Sequence, residues 1–323
     1  MTVNDFGMPL PPKIQSQRPG NVPRWLVSRD CGRILFGVRA KAKSGHAYFP
    51  TMRLLNLSDD AQAEELPRPL LKWAGGKRWL IPYVAPLWEN HKHRRYVEPF
   101  CGGLALPLGL RPERALLNDL NPHLINFYRQ VQRGLRLTIE TENDQRLFYA
   151  HRDRFNFLIR ESQSDTAEAA QLFYYLNRTC YNGLCRFNHG GEFNVPFGRY
   201  KTINYRASFH GYRELFAGWL FSNCDLETLA VERDDFIYAD PPYDVEFTSY
   251  SAGGFSWEDQ VRTVEWLAKH RGPVMLSNQA TPRIVKLYGQ LGFKLKYLKA
   301  PRRISCTGDR TAAREVLAVR SVN

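Results

Sequence analysis

Five short apolar stretches in this chain break off at a turn of polar, glycine or proline residues, and this repeated break most narrows the fold. They are Tyr96–Glu98, the strand within ALLNDL (115–120), the start of WLFSNCDLETL (219–229), Phe236–Ala239 and GPVMLSN (272–278). Helical stretches over Pro122–Arg133, Trp257–His270 and Pro282–Leu291 alternate with them. Strand, turn, helix, strand is the order of a parallel α/β domain. FKLKYLKA (293–300) and REVLAVRSV (314–322) read as two closing antiparallel strands.

Between residues 134 and 220 the alternation stops. QRLFYAHRDRFNFLIR and AEAAQLFYYLNRTCYNGLCRFN are helical, basic and rich in aromatics, and HGGEFNVPFGRY pairs glycines with alternating residues as a β-hairpin does. This stretch reads as a domain inserted into the sheet's connectivity, which leaves 67–133 and 221–323 as the α/β domain. Residues 1–66 read as an N-terminal extension, with two or three strands expected within 24–55. A hydrophobic share of 43% is ample for a core, and 45 Lys and Arg against 32 Asp and Glu leave a net charge of +13. That balance favours a polyanionic partner. The six cysteines form no C-x-x-C pair, so reduced thiols are expected and a zinc site is not. No apolar run approaches the roughly 18 residues of a membrane span, and the start lacks a signal segment, so a cytoplasmic protein is expected.

Asp240-Pro241-Pro242-Tyr243 follows the buried strand Phe236–Ala239. Open α/β sheets bind ligands just beyond the carboxyl ends of their strands. The Asp240 carboxylate and the Pro241 carbonyl, on a turn stiffened by two prolines, are acceptors suited to the hydrogens of an aromatic amine. Such an amine is a poor nucleophile because its lone pair is delocalised into the ring. Acceptors that favour a tetrahedral nitrogen activate it without a strong base. Tyr243 is placed to stack on a planar base. An N-capping Asp before a proline turn has the same letters, and the position after a strand and a glycine turn argues for the functional reading.

Glu98-Pro99-Phe100-Cys101-Gly102-Gly103 leaves the first strand. Glycines there permit close backbone approach and present N–H groups to a ligand. Asp119 ends the next strand, where a carboxylate can accept from both hydroxyls of a ribose, and Asp225 after the third can accept from an adenine amino group. Trp73-Ala74-Gly75-Gly76-Lys77 adds an aromatic ring, accessible backbone and a cation. Neither G-x-G-x-x-G nor a P-loop is present.

Together LKWAGGK (71–77), EPFCGG (98–103), NRTCYNGLCRFN (177–188), GEFNVPFGRY (191–200) and ADPPYD (239–244) resemble the Dam-like adenine-N6 DNA methyltransferases in their alpha motif order. The resemblance covers about residues 70–320. It implies a mainly parallel seven-stranded sheet with an inserted, mainly helical recognition domain carrying a β-hairpin. It also implies S-adenosyl-L-methionine as methyl donor, S-adenosyl-L-homocysteine as product, and double-stranded DNA as the partner in a prokaryotic or phage-like setting. Direct methyl transfer needs no metal, and a monomer is expected because one DNA grip and one pocket suffice. Trp73, Ala74, Gly75, Lys77, Glu98, Phe100, Gly102, Asp119 and Asp225 would surround the cofactor. The family's F-x-G-x-G here reads Phe100-Cys101-Gly102-Gly103-Leu104, and Leu226 stands where relatives carry an aromatic.

By the same resemblance, Lys72 and Arg186 correspond to guanine readers in relatives specific for GATC. Leu184 and Pro196 correspond to contacts with the thymine methyl, Tyr181 to an intercalating wedge, and Asn182 to a phosphate or orphan-base contact. The residue types suit these roles. The alternatives are a different adenine-containing target, or a DNA-binding regulator without activity. HKHRR (91–95), KAPRR (299–303) and Arg310 are basic pieces that either touch phosphate or face solvent. DVEFTSYSAGGFSWEDQ (244–260) resembles the family's mobile segment beside the extruded base.

Overall fold

A computed structural model describes residues 67–244, 255–300 and 313–322 of the chain. The expected strands within 24–55, the stretch 245–254 of the loop after the proline turn, and Arg302, Arg303 and Arg310 lie outside the described residues.

Strand β1 (Tyr96–Glu98) pairs in parallel with β2 (Ala115–Asn118) on one side and with β4 (Phe236–Ala239) on the other. Beyond β2 lies β3 (Trp219–Ser222), and beyond β4 lies β5 (Val274–Gln279), both parallel to their neighbours. β7 (Ala313–Arg320) runs antiparallel between β5 and β6 (Lys294–Ala300). The seven-stranded order is therefore β3-β2-β1-β4-β5-β7-β6. Every residue of β1, β2 and β4 is buried, which is why these strands read as unbroken apolar runs. The edge strand β6 exposes Lys294, Lys296 and Lys299, charges that discourage edge-to-edge pairing.

Chain direction across the sheet reverses between β1 and β4. From β1 the chain steps outward through β2 to β3, then returns to the far side of β1. A crevice opens at the carboxyl ends of strands where order reverses in this way. Glu98 ends β1 and Asp240 follows β4, so both carboxylates fall at that switch point.

Side-chain caps set the helix starts. Asn121 accepts from the His123 and Leu124 amides at the head of α3 (Pro122–Gln132), where Pro122 takes a position that needs no N–H donor. Asp144 caps α4 (Gln145–Arg160) and Thr166 caps α5 (Ala167–Thr179). Ser256 and Asp259 form a reciprocal capping box on α7 (Trp257–Lys269), and Thr281 caps α8 (Pro282–Gln290). The helix after the glycine turn is only one turn long, α2 (Pro107–Leu110). Leu104 and Arg111, both at positive φ, bound it. Helix α1 (Ile81–Glu89) precedes β1, and α6 (His210–Leu215) precedes β3.

Residues 134–220 contribute α4, α5 and α6. Helix α5 is apolar nearly all round and buried from Ala169 to Asn177. Tyr174 on α5 stacks on Phe127 of α3 at 5.6 Å, and Phe209 meets both rings edge-on. The expected hairpin is a short reversal rather than a pair of strands. Phe187 bridges Phe193 antiparallel, and Gly191 at positive φ closes the turn by donating to the Asn188 carbonyl.

The basic piece HKHRR belongs partly to the fold. Arg94 donates to the Asp234 carbonyl at 2.7 Å, and Arg95 forms a fork on Asp235 at 3.0 and 2.7 Å. Asp235 is buried just before β4, so Arg95 ties the start of β1 to the start of β4. These two arginines serve the sheet at the end opposite the crevice.

His123 is sandwiched in the core, 4.9 Å from the Phe187 ring and 5.1 Å from Phe155, and its Nδ1 has no hydrogen-bond partner among the described residues. Burial lowers its pKa from 6.5 to about 4. Between those values the unfolded chain binds a proton that the native imidazole refuses, so stability falls as pH drops through this window. His123→Phe removes that loss, which is on the order of 3 kcal/mol at full protonation of the unfolded form. Its melting temperature should decline less steeply than the parent's from pH 6.5 to 4; parallel declines would show that His123 does not titrate with folding.

Candidate active site

Four acidic side chains follow or end four neighbouring parallel strands. Asp225 lies beyond β3, Asp119 beyond β2, Glu98 at the end of β1 and Asp240 beyond β4. Two hydrogen bonds between the buried Asn118 side chain and the Cys224 backbone, both 3.0 Å, tie the β2 end to the segment carrying Asp225.

Their surroundings differ. Glu98 is buried and accepts from the Tyr96 hydroxyl at 2.6 Å. Burial pushes its carboxyl well above the usual carboxylate range; the Tyr96 hydrogen bond opposes this and the charge of Asp240 adds to it. Asp119 accepts from the Asn121 amide at 2.9 Å and the Gly102 amide at 3.1 Å. Burial raises its carboxyl, and those two amides hold it back. Asp225 is already engaged: the Arg262 guanidinium of α7 donates to both of its oxygens at 3.0–3.1 Å, and the Glu227 amide donates to Oδ1 at 3.0 Å.

Asp240 is held on both oxygens. Lys77 Nζ lies 2.9 Å from Oδ2, and Ser277 Oγ donates to Oδ1 at 2.8 Å. The Lys77 side chain is 5% exposed and Asp240's is 19%, so the ion pair is shielded. Gly75, at φ +76°, turns the chain so that its own carbonyl accepts from Lys77 Nζ at 2.9 Å. The same ammonium lies 4.5 Å from the centre of the Tyr243 ring. Burial, together with the Asp240 and Glu315 carboxylates, raises the Tyr243 phenol well above its ordinary value. The proline turn has its own anchor. Gln260 of α7 donates to the Pro242 carbonyl at 2.6 Å and accepts from the buried Asn278 at 3.1 Å. Past the turn, Asp244 accepts from Thr281 and pairs with Arg283, which fastens it to the head of α8.

The glycine turn and the WAGGK segment interlock. A Cβ on Gly102, at φ +43°, would lie 2.8 Å from the Trp73 indole nitrogen, and one on Gly103 would lie 2.9 Å from Trp73 Cβ. Both glycines are therefore required by the indole packed on them, so the shift of the family's second glycine to position 103 has a partner. Phe100 is half-buried, edge-on to Phe255, while Ala74 and Gly75 are exposed.

The residues expected to read DNA also come together. Gly183, at φ +62°, lies against the Lys72 side chain, where a Cβ would come within 2.4 Å of Lys72 Cβ. The Tyr181 amide donates to the Pro196 carbonyl at 2.8 Å, and Leu184 packs partly buried on the core. Asn182, at φ +52°, and Tyr181 are exposed. Arg186 is exposed and donates to the Asn194 side chain at 2.9 Å. Lys72 is more occupied than its expected role suggests. Its ammonium donates to the Arg178 carbonyl at 2.8 Å and lies 3.5 Å over the Tyr200 ring. Burial, then the Arg178 charge, lowers its pKa.

Residues 73–304 match the family model described as D12 class N6 adenine-specific DNA methyltransferase. The chain belongs to this family. It is 36% identical over 276 residues to a DNA adenine methylase of Vibrio cholerae, covering 78% of this chain and 95% of that protein. It is 36% identical over 257 residues to the type II methyltransferase M1.LlaDCHI of Lactococcus lactis, covering 73% of this chain and 88% of that protein. It is also 36% identical over 277 residues to the DNA N-6-adenine-methyltransferase of Escherichia phage P1, spanning 80% of this chain but only 36% of that longer protein.

Among the described residues no group of His, Cys, Asp and Glu is arranged to hold a metal ion, and no helix is long and apolar enough to cross a membrane. For a D12 methyltransferase, sequence reasoning missed Ser277, Gln260, Asn278 and Arg262. One signal was present: the buried strand GPVMLSN ends on two polar residues at the ligand edge of the sheet. Replacing Lys77 with Met leaves a shielded carboxylate without its cation, a loss of about 3–5 kcal/mol for pairs of this kind. The melting temperature of Lys77→Met should drop, and methyl transfer by the folded variant should fall well below the parental rate. A near-parental rate would show that the ion pair is dispensable to the chemistry.

Proposed function

We propose that this enzyme methylates N6 of an adenine flipped out of duplex DNA at GATC, with S-adenosyl-L-methionine as donor, acting as a cytoplasmic monomer. The observation that carries the chemistry is the Asp240 carboxylate, fixed on both oxygens beyond β4 beside the aromatic face of Tyr243.

The donor set fits the cofactor. A sulfonium is favoured among carboxylates, and Glu98 and Asp119 are buried or half-buried acids held by neutral donors, the Tyr96 phenol and the Gly102 and Asn121 amides. Asp119 keeps lone pairs for ribose hydroxyls beyond its two amides. Asp225 and the interlocked segments around Trp73, Ala74, Gly75, Phe100 and Gly102 complete the enclosure. The cofactor supplies a methyl group on a cationic sulfur and leaves as S-adenosyl-L-homocysteine.

The protein's own residues do the rest by positioning. The remaining lone pairs of Asp240, with the Pro241 carbonyl, accept the two amino hydrogens of the base and draw the nitrogen toward tetrahedral geometry. Tyr243 stacks on the extruded ring. As the N–C bond forms and the S–C bond breaks, the nitrogen becomes cationic and strongly acidic, and it passes a proton to the Asp240 carboxylate or to water, so no strong base is needed.

Tyr181, 52% exposed beside Pro196, is shaped to fill the gap left in the base stack. Asn182 meets a phosphate or the orphaned base. Arg186 and Lys72 read guanine, and Leu184 and Pro196 meet the thymine methyl. The net charge of +13 suits a duplex partner. A second reading, a different short target containing adenine, draws on one observation: the Lys72 ammonium is taken up by the Arg178 carbonyl and the Tyr200 ring.

Incubation of amplified, unmethylated genomic DNA with labelled cofactor, followed by single-molecule mapping of modified adenines, tests both. Marks confined to GATC support the first reading, marks at another motif the second, and no marked adenine overturns both. Asp240→Ala should abolish transfer while DNA binding stays within a few-fold of the parent; retained turnover would remove Asp240 from the reaction. Arg186→Ala should relax the choice at one guanine, a loss of roughly 1–3 kcal/mol in discrimination. Uniform weakening on all sequences would instead mark Arg186 as a phosphate contact.

A further inference from the structure

We infer that Tyr238 and Ser277 form a directed, buried hydrogen-bond chain whose task is to orient the Asp240 carboxylate for the amine, which makes both of them positioning residues. The inference rests on the reading of Asp240 as the amine's acceptor.

The sheet register creates the chain. β4 and β5 pair with Ala239 opposite Leu276, so the next residue on each strand, Asp240 and Ser277, emerge side by side at the crevice. Tyr238 on β4 and Asp240, the first residue past it, are two apart and share a face. Ser277 Oγ lies 2.8 Å from Asp240 Oδ1 and 2.7 Å from the Tyr238 hydroxyl. Ser277 is 1% exposed and Tyr238 is 2% exposed.

Proton counting fixes the direction. A serine hydroxyl has one hydrogen, and here it goes to Asp240. The short contact with Tyr238 then requires the phenol to donate to Ser277. Burial, reinforced by Asp240, raises the Tyr238 phenol well above its ordinary value, so it keeps the proton it must donate. The order is Tyr238 to Ser277 to Asp240.

This arrangement does what Lys77 cannot do alone. An ammonium is a rotatable point charge that neutralises a carboxylate without fixing its plane. A hydroxyl held from within the sheet on the other oxygen sets that plane. Each carboxylate oxygen then still has a lone pair for an amino hydrogen. Hydrogen bonds in such a chain polarise one another, so Tyr238 strengthens the donation of Ser277.

The test is a double-mutant cycle on the full chain. Single-turnover methylation of amplified genomic DNA is followed at saturating labelled S-adenosyl-L-methionine, beside Asp240→Ala. Ser277→Ala should lower the transfer rate roughly 10- to 100-fold with the KM for S-adenosyl-L-methionine and the DNA affinity unchanged. Tyr238→Phe should lower it by a smaller factor, roughly two- to tenfold. Ser277→Thr, which keeps the hydroxyl, should recover most of the rate. The double variant Ser277→Ala/Tyr238→Phe should be no slower than Ser277→Ala, because Tyr238 acts only through Ser277.

Multiplying losses in the double variant would overturn the chain, as would a parental rate for Ser277→Ala while Asp240→Ala is inactive. An active Asp240→Ala would instead mark failure of the site reading itself. If Ser277→Ala does not fold, as judged by its melting transition, Tyr238→Phe and Ser277→Thr decide. A slow Tyr238→Phe beside a near-parental Ser277→Thr supports the chain. A parental Tyr238→Phe or an inactive, folded Ser277→Thr overturns it.

Discussion

The ion pair between Lys77 and Asp240 joins the two halves of the site. Lys77 comes from a turn ahead of the sheet, and Asp240 from the end of a strand in its middle. A carboxylate shielded at a strand end is costly unless donors meet both oxygens. The chain meets this demand from two distant segments, WAGGK and β5, and so folding itself assembles the pocket wall. The same ammonium faces the Tyr243 ring, so the aromatic surface is positioned by the charge that steadies the acid.

A similar economy governs the glycine turn. Gly102 and Gly103 lie under the Trp73 indole, and the Gly102 amide holds Asp119 while its carbonyl accepts from Tyr128 at 2.8 Å. One residue without a side chain thus links the WAGGK segment, the β2 carboxylate and helix α3. A side chain there would push the indole away and disturb three parts together.

Much of the fold was legible because parallel strands buried on both faces read as compact apolar words. Tyr96–Glu98 and Phe236–Ala239 were marked by that texture, and the Pro-Pro turn pointed to Asp240 directly. The partners of Asp240 were not legible. Ser277 lies 37 positions away and meets it only through the β4–β5 register, which no local pattern reveals. Gln260 sits in an ordinary amphipathic helix and becomes special by reaching the Pro242 carbonyl. Arg94 and Arg95 looked like surface charge because their partners, Asp234 and Asp235, lie 140 residues on. The helix after the glycine turn spans a single turn, and the positive φ at Leu104 and Arg111 on either side of it is not written in an apolar sequence. In each case a local signal gives the residue type, and a distant element decides its use.

The four acids at the sheet edge divide by how their charge is balanced. Asp240 and Asp225 have cations, Lys77 and Arg262. Glu98 and Asp119 are met by a phenol and by amides, and burial raises both carboxyls. A buried acid without a cation is the environment in which an incoming positive charge gains most, because burial weakens screening and the ion has no competitor to displace. On the proposed reading, a sulfonium is therefore drawn to the β1–β2 half of the row, while the β4 carboxylate, already neutralised, is left to hold an uncharged amine. Neighbouring strand ends can in this way carry the same functional group and give it opposite tasks, one attracting charge and the other orienting a neutral nucleophile. Among the described residues the difference lies in the two cations, which meet Asp240 and Asp225 and not Glu98 or Asp119.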